Sequence, residues 1–133
     1  SRRVGQIFIE NAIQNLDINI NGDGKDSLDF TYIEDLIEGI FLCCKNKKAI
    51  NETFNLTYGK SKQINDLLHV LKQEFPKVKV TYKDKEKFMP KRGTLNISKA
   101  KKLLGYQPNT SIEVGYIQYI NWYKNFWKKI KQI

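Results

Sequence analysis

The 133-residue chain is 41% hydrophobic and 28% charged, ordinary for a globular protein and enough for one core, so a single domain spanning 1–133 is expected. No apolar run approaches a membrane span and the Ser-Arg-Arg-Val start is no signal peptide, which argues against a membrane protein and for a cytoplasmic setting. The net charge of +9 is uneven, with 8 basic and 10 acidic residues up to Asp66 and 15 basic and 4 acidic beyond it, a bias that suits an anionic partner or a lysine-rich solvated surface.

Val4 to Leu16 sets Val4, Ile7, Phe8, Ala12, Ile13 and Leu16 at helical spacing, with Ile9 off the stripe. Ile18 and Ile20 alternate with polar residues in a short strand, and Gly22-Asp23-Gly24 turns the chain. Leu28 to Tyr32 is extended. Thr31 and Glu34 suggest a capping box for a helix to about Cys44, with Ile33, Leu36, Ile37 and Ile40 as its apolar face. Asn21 to Asp35 therefore joins a glycine turn, an extended arm and a helix start, an arrangement that lays backbone donors along a ligand. Cys43 and Cys44 are adjacent and diverge too far in a helix to bridge, so both are expected to stay reduced and act as small apolar residues.

Thr53 to Tyr58 alternates and reads as a strand ended by Gly59. A helix from about Ser61 to Phe75 carries Ile64, Leu67, Leu68, Leu71 and Phe75, and Pro76 stops it. Val78, Val80 and Tyr82 alternate with lysines in a half-exposed strand, followed by a charged loop from Lys83 to Gly93. Asn96 or Ser98 caps a short helix from Lys99 to Leu104, closed by Gly105. Thr110 and Glu113 then open a long helix with Ile112, Tyr116, Tyr119 or Ile120, Tyr123, Trp127 and Ile130 inward and lysines in its last turns. The whole reads as α/β, mixed helices and short strands.

Little catalytic chemistry is visible. His69, the sole histidine, lies beside an apolar stripe rather than on it, a surface position. No spacing of His, Cys and carboxylates suits a metal, and neither a Gly-x-Ser-x-Gly elbow nor a Gly-x-x-x-x-Gly-Lys-Ser/Thr loop occurs. Gly22-Asp23-Gly24 lacks the third glycine of a dinucleotide loop. Tyr58 to Lys62 spells Tyr-x-x-x-Lys, but across a strand end and a loop, whereas a proton relay needs both side chains on one helix face.

Several motifs nonetheless recur in a telling order: Val4-Gly-Gln-Ile-Phe-Ile-Glu-Asn-Ala-Ile, Ile20-Asn-Gly-Asp-Gly, Leu28-Asp-Phe-Thr-Tyr-Ile-Glu-Asp-Leu, Phe54-Asn-Leu-Thr-Tyr-Gly, Ile64-Asn-Asp-Leu, Pro90-Lys-Arg-Gly, Ser98-Lys-Ala-Lys-Lys-Leu-Leu-Gly-Tyr-Gln-Pro, Ile112-Glu-Val-Gly and Trp122-Tyr. Together they resemble the C-terminal half of the extended short-chain dehydrogenases/reductases, the NAD-dependent nucleotide-sugar epimerases and dehydratases. The resemblance implies the substrate-binding portion of an NAD(P)-binding Rossmann-fold epimerase. In that family the N-terminal half supplies the glycine-rich NAD loop and the Ser/Thr with Tyr-x-x-x-Lys catalytic set, and neither precedes Ser1. The fragment alone is then expected to be inactive, to bind a nucleotide-diphosphate sugar, and to hold no cofactor, NAD or NADP belonging to the full-length enzyme.

The same resemblance implies individual roles. Arg92 falls near an arginine that contacts the diphosphate, although the residues alone also allow a solvated arginine. Asn96 stands where a family Asp often reaches the ribose hydroxyls, or it simply caps its helix. Phe30, Thr31 and Tyr32 match positions lining the nucleotide pocket, with Phe30 equally suited to the core. Asp35 reads as structural, in the first turn of its helix. Leu28 departs from the pattern, because many relatives place a second diphosphate-binding arginine there; Lys25 and Lys91 are candidates to compensate. Without a cofactor-binding sheet to join, Thr53 to Tyr58 would be an unpaired edge strand, expected to drive homo-oligomer formation or swapping. The alternatives are an enzyme completed by a separate catalytic chain, and a stand-alone basic module for nucleic acid or another anionic partner. Against nucleic acid stands the arginine count: only Arg2, Arg3 and Arg92.

Overall fold

The computed structural model describes residues 3–85, 88 and 92–130; Lys91 lies outside them, as does the side chain of Ile130. Its elements run α1 (Val4–Ile13), β1 (Ile18–Asn21), β2 (Ser27–Leu28), α2 (Ile33–Lys45), a 3-10 helix (Lys47–Ala49), β3 (Lys62–Gln63), α3 (Ile64–Glu74), β4 (Val80–Lys83), α4 (Ser98–Leu104) and α5 (Ile112–Ile130). The chain is thus mixed α/β, as expected. It divides into two compact units, one from residues 1–26, 63–91 and 113–133 and the other from 27–62 and 92–112. Among the described residues, no helix is long and apolar enough to cross a membrane.

In the first unit, β1 pairs in parallel with β4, Ile18 opposite Val80 and Asn21 opposite Lys83. Strand alternation turns Ile18 and Ile20 inward, where both are buried. Parallel neighbours require a crossover, and α3 leads into β4. That helix begins at Ile64 rather than Ser61, on a capping box the sequence did not suggest. The Gln63 side chain accepts from the Asp66 amide, and the Asp66 carboxylate accepts from the Gln63 amide at 2.8 Å.

Helix α1 stops at Ile13 because Asn15 turns into the left-handed region, at φ 57°, and the Leu16 amide reaches back to the Asn11 carbonyl. Leu16 is left exposed. Ile9, expected off the stripe, is fully buried along with Phe8 and Ala12. The helix is covered on more than one side: Gly5 lies against the Tyr116 ring, and the buried Glu10 carboxylate accepts from Gln6 Nε2 at 2.9 Å and from the Tyr123 hydroxyl. Tyr116 donates its hydroxyl to the Gly5 carbonyl at 2.8 Å, and burial pushes that hydroxyl's pKa well above the usual tyrosine value.

In the second unit, α2 buries the face opposite to the one its apolar residues suggest. Ile33, Ile37, Ile40 and Phe41 are 50–57% exposed, whereas Asp35 and Gly39 are buried. Two local causes reverse the face. Gly39 has no Cβ, which lets Leu56 and Tyr106 close on the helix; an added Cβ would lie 3.0 Å from atoms of both. The Asp35 carboxylate, meanwhile, accepts from the amides of Asn109 and Thr110 at 3.1 and 2.9 Å, so its burial is fully partnered. Leu42, Cys43, Phe54, Leu56 and Leu103 pack on a core of Ala100, Leu104 and Tyr106. Cys43 and Cys44 are both unbridged. As expected, α4 ends at Gly105, which takes φ 72° while its amide and that of Tyr106 return to Lys101 and Ala100.

Two expectations fail here. Thr31 and Glu34 form no capping box: the cap residue is Tyr32, and Thr31 Oγ1 accepts instead from the Tyr58 amide at 3.1 Å. Thr53 to Tyr58 is not a strand either. Phe54 and Leu56 are drawn partly into the core, Asn55 Nδ2 donates to the Asn96 carbonyl, and the Tyr58 amide is taken by Thr31. Swapping through an exposed strand therefore lacks its strand.

Tyr106 is wholly buried, and its hydroxyl has no partner among the described residues. Burial, then the nearby charges of Asp35, Asp29 and Glu38, push its pKa up to about 12. A raised tyrosine pKa means that the fold holds the neutral form. The stability this contributes is complete below the unfolded value near 10 and drains away as the pH climbs towards 12. Tyrosinate absorbance should accordingly show several late-titrating tyrosines, since burial also raises Tyr116, and Tyr106→Phe should remove the step near pH 12; if that variant leaves the curve there unchanged, Tyr106 is not the group that titrates in that range.

Candidate functional site

Phe30, Thr31, Tyr32, Arg92 and Asn96 all lie in the second unit. They sit on two stretches, an arm from Asp29 to Tyr32 and a run from Arg92 to Ile97, neither with helix or strand of its own. Irregular backbone needs partners from elsewhere, and one side chain supplies most of them. Asp29 Oδ1 accepts from the Gly59 amide at 3.1 Å, and Oδ2 accepts from the Thr57 hydroxyl at 2.9 Å and the Leu95 amide at 3.2 Å. One carboxylate thereby ties together the arm, the 57–59 turn and the Arg92 run. Thr31 adds its bond to Tyr58, and the Ser61 amide donates to Thr94 Oγ1 at 2.8 Å.

Within that frame each side chain has a distinct environment. Phe30, Thr31 and Tyr32 are half-buried, Arg92 and Asn96 exposed. Asn96 Oδ1 accepts from the Ser98 amide at 2.8 Å, two residues on, so its acceptor serves the entry to α4. Arg92 makes no ion pair among the described residues, which leaves its fork of donors facing solvent. Asp29 has no role that its sequence context alone implies. The signal available was a short acidic side chain in an extended arm, the type that satisfies loop amides, but its partners are 28, 30 and 66 residues away.

The Gly22–Gly24 turn belongs to the first unit and is held by partners of its own. The Gly22 amide donates to the Lys83 carbonyl, and the Lys25 amide to Asp23 Oδ1. The Asn65 side chain fills the hollow: its Nδ2 donates to the Asp23 carbonyl, its Oδ1 accepts from the Tyr82 hydroxyl, and a Cβ on Gly24 would lie 2.1 Å from that oxygen. No cluster of three metal-ligating side chains occurs among the described residues.

Residues 1–57 match the NAD dependent epimerase/dehydratase family. Over 128 residues the chain is 37% identical to a UDP-glucuronate 4-epimerase of Thermodesulfobacterium geofontis, covering 95% of the chain and 39% of that protein. The structure of the epimerase Mth375 from Methanothermobacter thermautotrophicus superposes on 98% of the chain with a TM-score of 0.90 and 27% identity. This chain carries the sequence and fold of the NAD-dependent epimerase/dehydratase family. A UDP-glucuronic acid 4-epimerase from Bacillus cereus, solved with UDP-glucuronic acid and NAD, matches 93% of this epimerase-family chain at a TM-score of 0.84 and 28% identity. In both structures the match covers 40% of the other chain, so this one spans about two fifths of the length of the relatives it resembles.

Proposed function

We propose that this chain is the nucleotide-sugar-binding portion of an NAD-dependent sugar-nucleotide epimerase or dehydratase. The observation that carries the reading is the Asp29 frame, which holds an exposed guanidinium and half-buried aromatic side chains on one unit of an epimerase-family chain. Arg92 takes the diphosphate through paired N–H donors, Phe30 and Tyr32 face the nucleoside, and Thr31 and Asn96 complete its polar edge. When bound, NAD removes and returns a hydride at the sugar. The turn at Gly22–Gly24 is filled by Asn65, so the described residues supply no seat for its phosphates there. We therefore read this chain as inactive alone and completed by a cofactor-binding half.

The exposed isoleucines and Phe41 of α2 support that reading, since apolar faces of this kind are normally covered. Left without a cover, the same face favours association between copies. Two free cysteines fit a cytoplasmic setting.

Calorimetric titration with UDP-, GDP-, CDP- and dTDP-sugars tests the proposal. Saturable binding of one class is expected, with Arg92→Ala weakening it about tenfold, the scale of one charge-assisted pair. If none binds and the chain instead takes up arbitrary DNA in a salt-sensitive way, it is a basic binding module.

A further inference from the structure

We infer that Lys60 is the second diphosphate cation of this site, filling the need that Leu28 leaves unmet. The inference rests on the nucleotide-sugar reading. A diphosphate carries more than one negative charge, and a single guanidinium engages only part of it. Leu28, half-buried in β2, offers no donor.

Three other lysines of this unit are already engaged, and Lys47, Lys48, Lys101 and Lys102 sit on the 3-10 helix and α4 rather than on the segments that Asp29 joins. Lys99 pairs with Glu52 at 2.5 Å and lies over the Phe54 ring, Lys45 lies over the Phe41 ring, and Lys62 is held in β3 with a contact of its own. Lys25, expected to compensate, pairs with Asp23 at 3.4 Å in the first unit. Lys60 differs. It is exposed and makes no ion pair among the described residues, yet its backbone is clamped on both sides. On one side, Gly59 donates its amide to Asp29, takes φ 77°, and packs so tightly that an added Cβ would meet Ile97 at 2.6 Å. On the other, Ser61 donates its amide to Thr94, two residues beyond Arg92. The bonds that set the Arg92 run beside the arm thus fix the lysine's Cα beside both, while its four-carbon stem and three donors stay free to meet a phosphate.

The test separates the phosphates from the nucleoside. UDP and uridine are titrated into the wild type, Lys60→Gln, Leu28→Arg and the double variant, with Arg92→Ala alongside. Lys60→Gln should weaken UDP about tenfold and flatten its salt dependence by about one charge, leaving uridine unaffected. Leu28→Arg added to Lys60→Gln should restore UDP binding. If Lys60→Gln binds UDP as the wild type does while Arg92→Ala loses it, Lys60 has no such role and the nucleotide reading stands. If the wild type binds neither UDP nor uridine, the nucleotide reading falls and Lys60 with it. Lys60 is exposed, so the glutamine variant should melt with the wild type; a lower melting point would mark its role as structural.

Discussion

Replacing Asp35 by alanine is expected to lower the stability of the chain by about 3 kcal/mol. The carboxylate is 6% exposed and accepts from two amides, at 3.1 and 2.9 Å. Bonds to a charged acceptor contribute about 1.5–3 kcal/mol each, and their loss leaves two amides short of a partner. Water reaching the partly buried amides offsets some of this, while a lost anion in the first turn of α2 adds about 0.5 kcal/mol. Asp35→Asn retains an acceptor and should cost about half as much. Urea unfolding followed by circular dichroism reads both, with an unchanged denaturant slope expected. An alanine variant within about 0.5 kcal/mol of wild type would show that these bonds do not hold the 109–110 segment.

Gly39→Leu should be comparably damaging, about 3 kcal/mol, for a different reason. A Cβ alone would sit 3.0 Å from Leu56 Cδ2 and from Tyr106 Cε2, and a leucine adds three more carbons to that gap. Leu56 and Tyr106 would have to leave the rotamers in which they close the core. Gly39→Ala is the informative contrast. It gains about 1 kcal/mol of helix propensity and loses a similar amount to the tight contact, so its melting point should barely move. A leucine variant that melts like the wild type would mean that α2 does not bury the face argued above.

The sequence was most legible where structure is local. Apolar period located α1, α3 and α5, alternation found β1, and Gly105 marked the end of α4. It misled at α2, because hydrophobic spacing counts apolar residues without knowing what covers them. A glycine and a carboxylate with two distant amide partners outweighed four large side chains. Thr53 to Tyr58 failed for a related reason: alternation signals a strand only when a neighbouring ladder accepts it. For the site, the five candidate residues came from a resemblance to a family and not from any chemistry visible in their types. What brings the arm and the Arg92 run together is Asp29, whose partners are too far along the chain for any short pattern to reveal.

The interleaving of the two units has a consequence for how the chain emerges from the ribosome. The second is complete in sequence once Ile112 has been made, whereas the first still lacks residues 113–133. Until then Glu10 is without Tyr123, and the Gly5 carbonyl is without Tyr116. Synthesis therefore imposes an order: the part bearing Asp29 and Arg92 is free to close while the parallel pair of β1 and β4 still waits for its last helix. An interruption within α5 would strip the earlier-made segments of their support, so residues 113–133 govern the fate of residues 1–26.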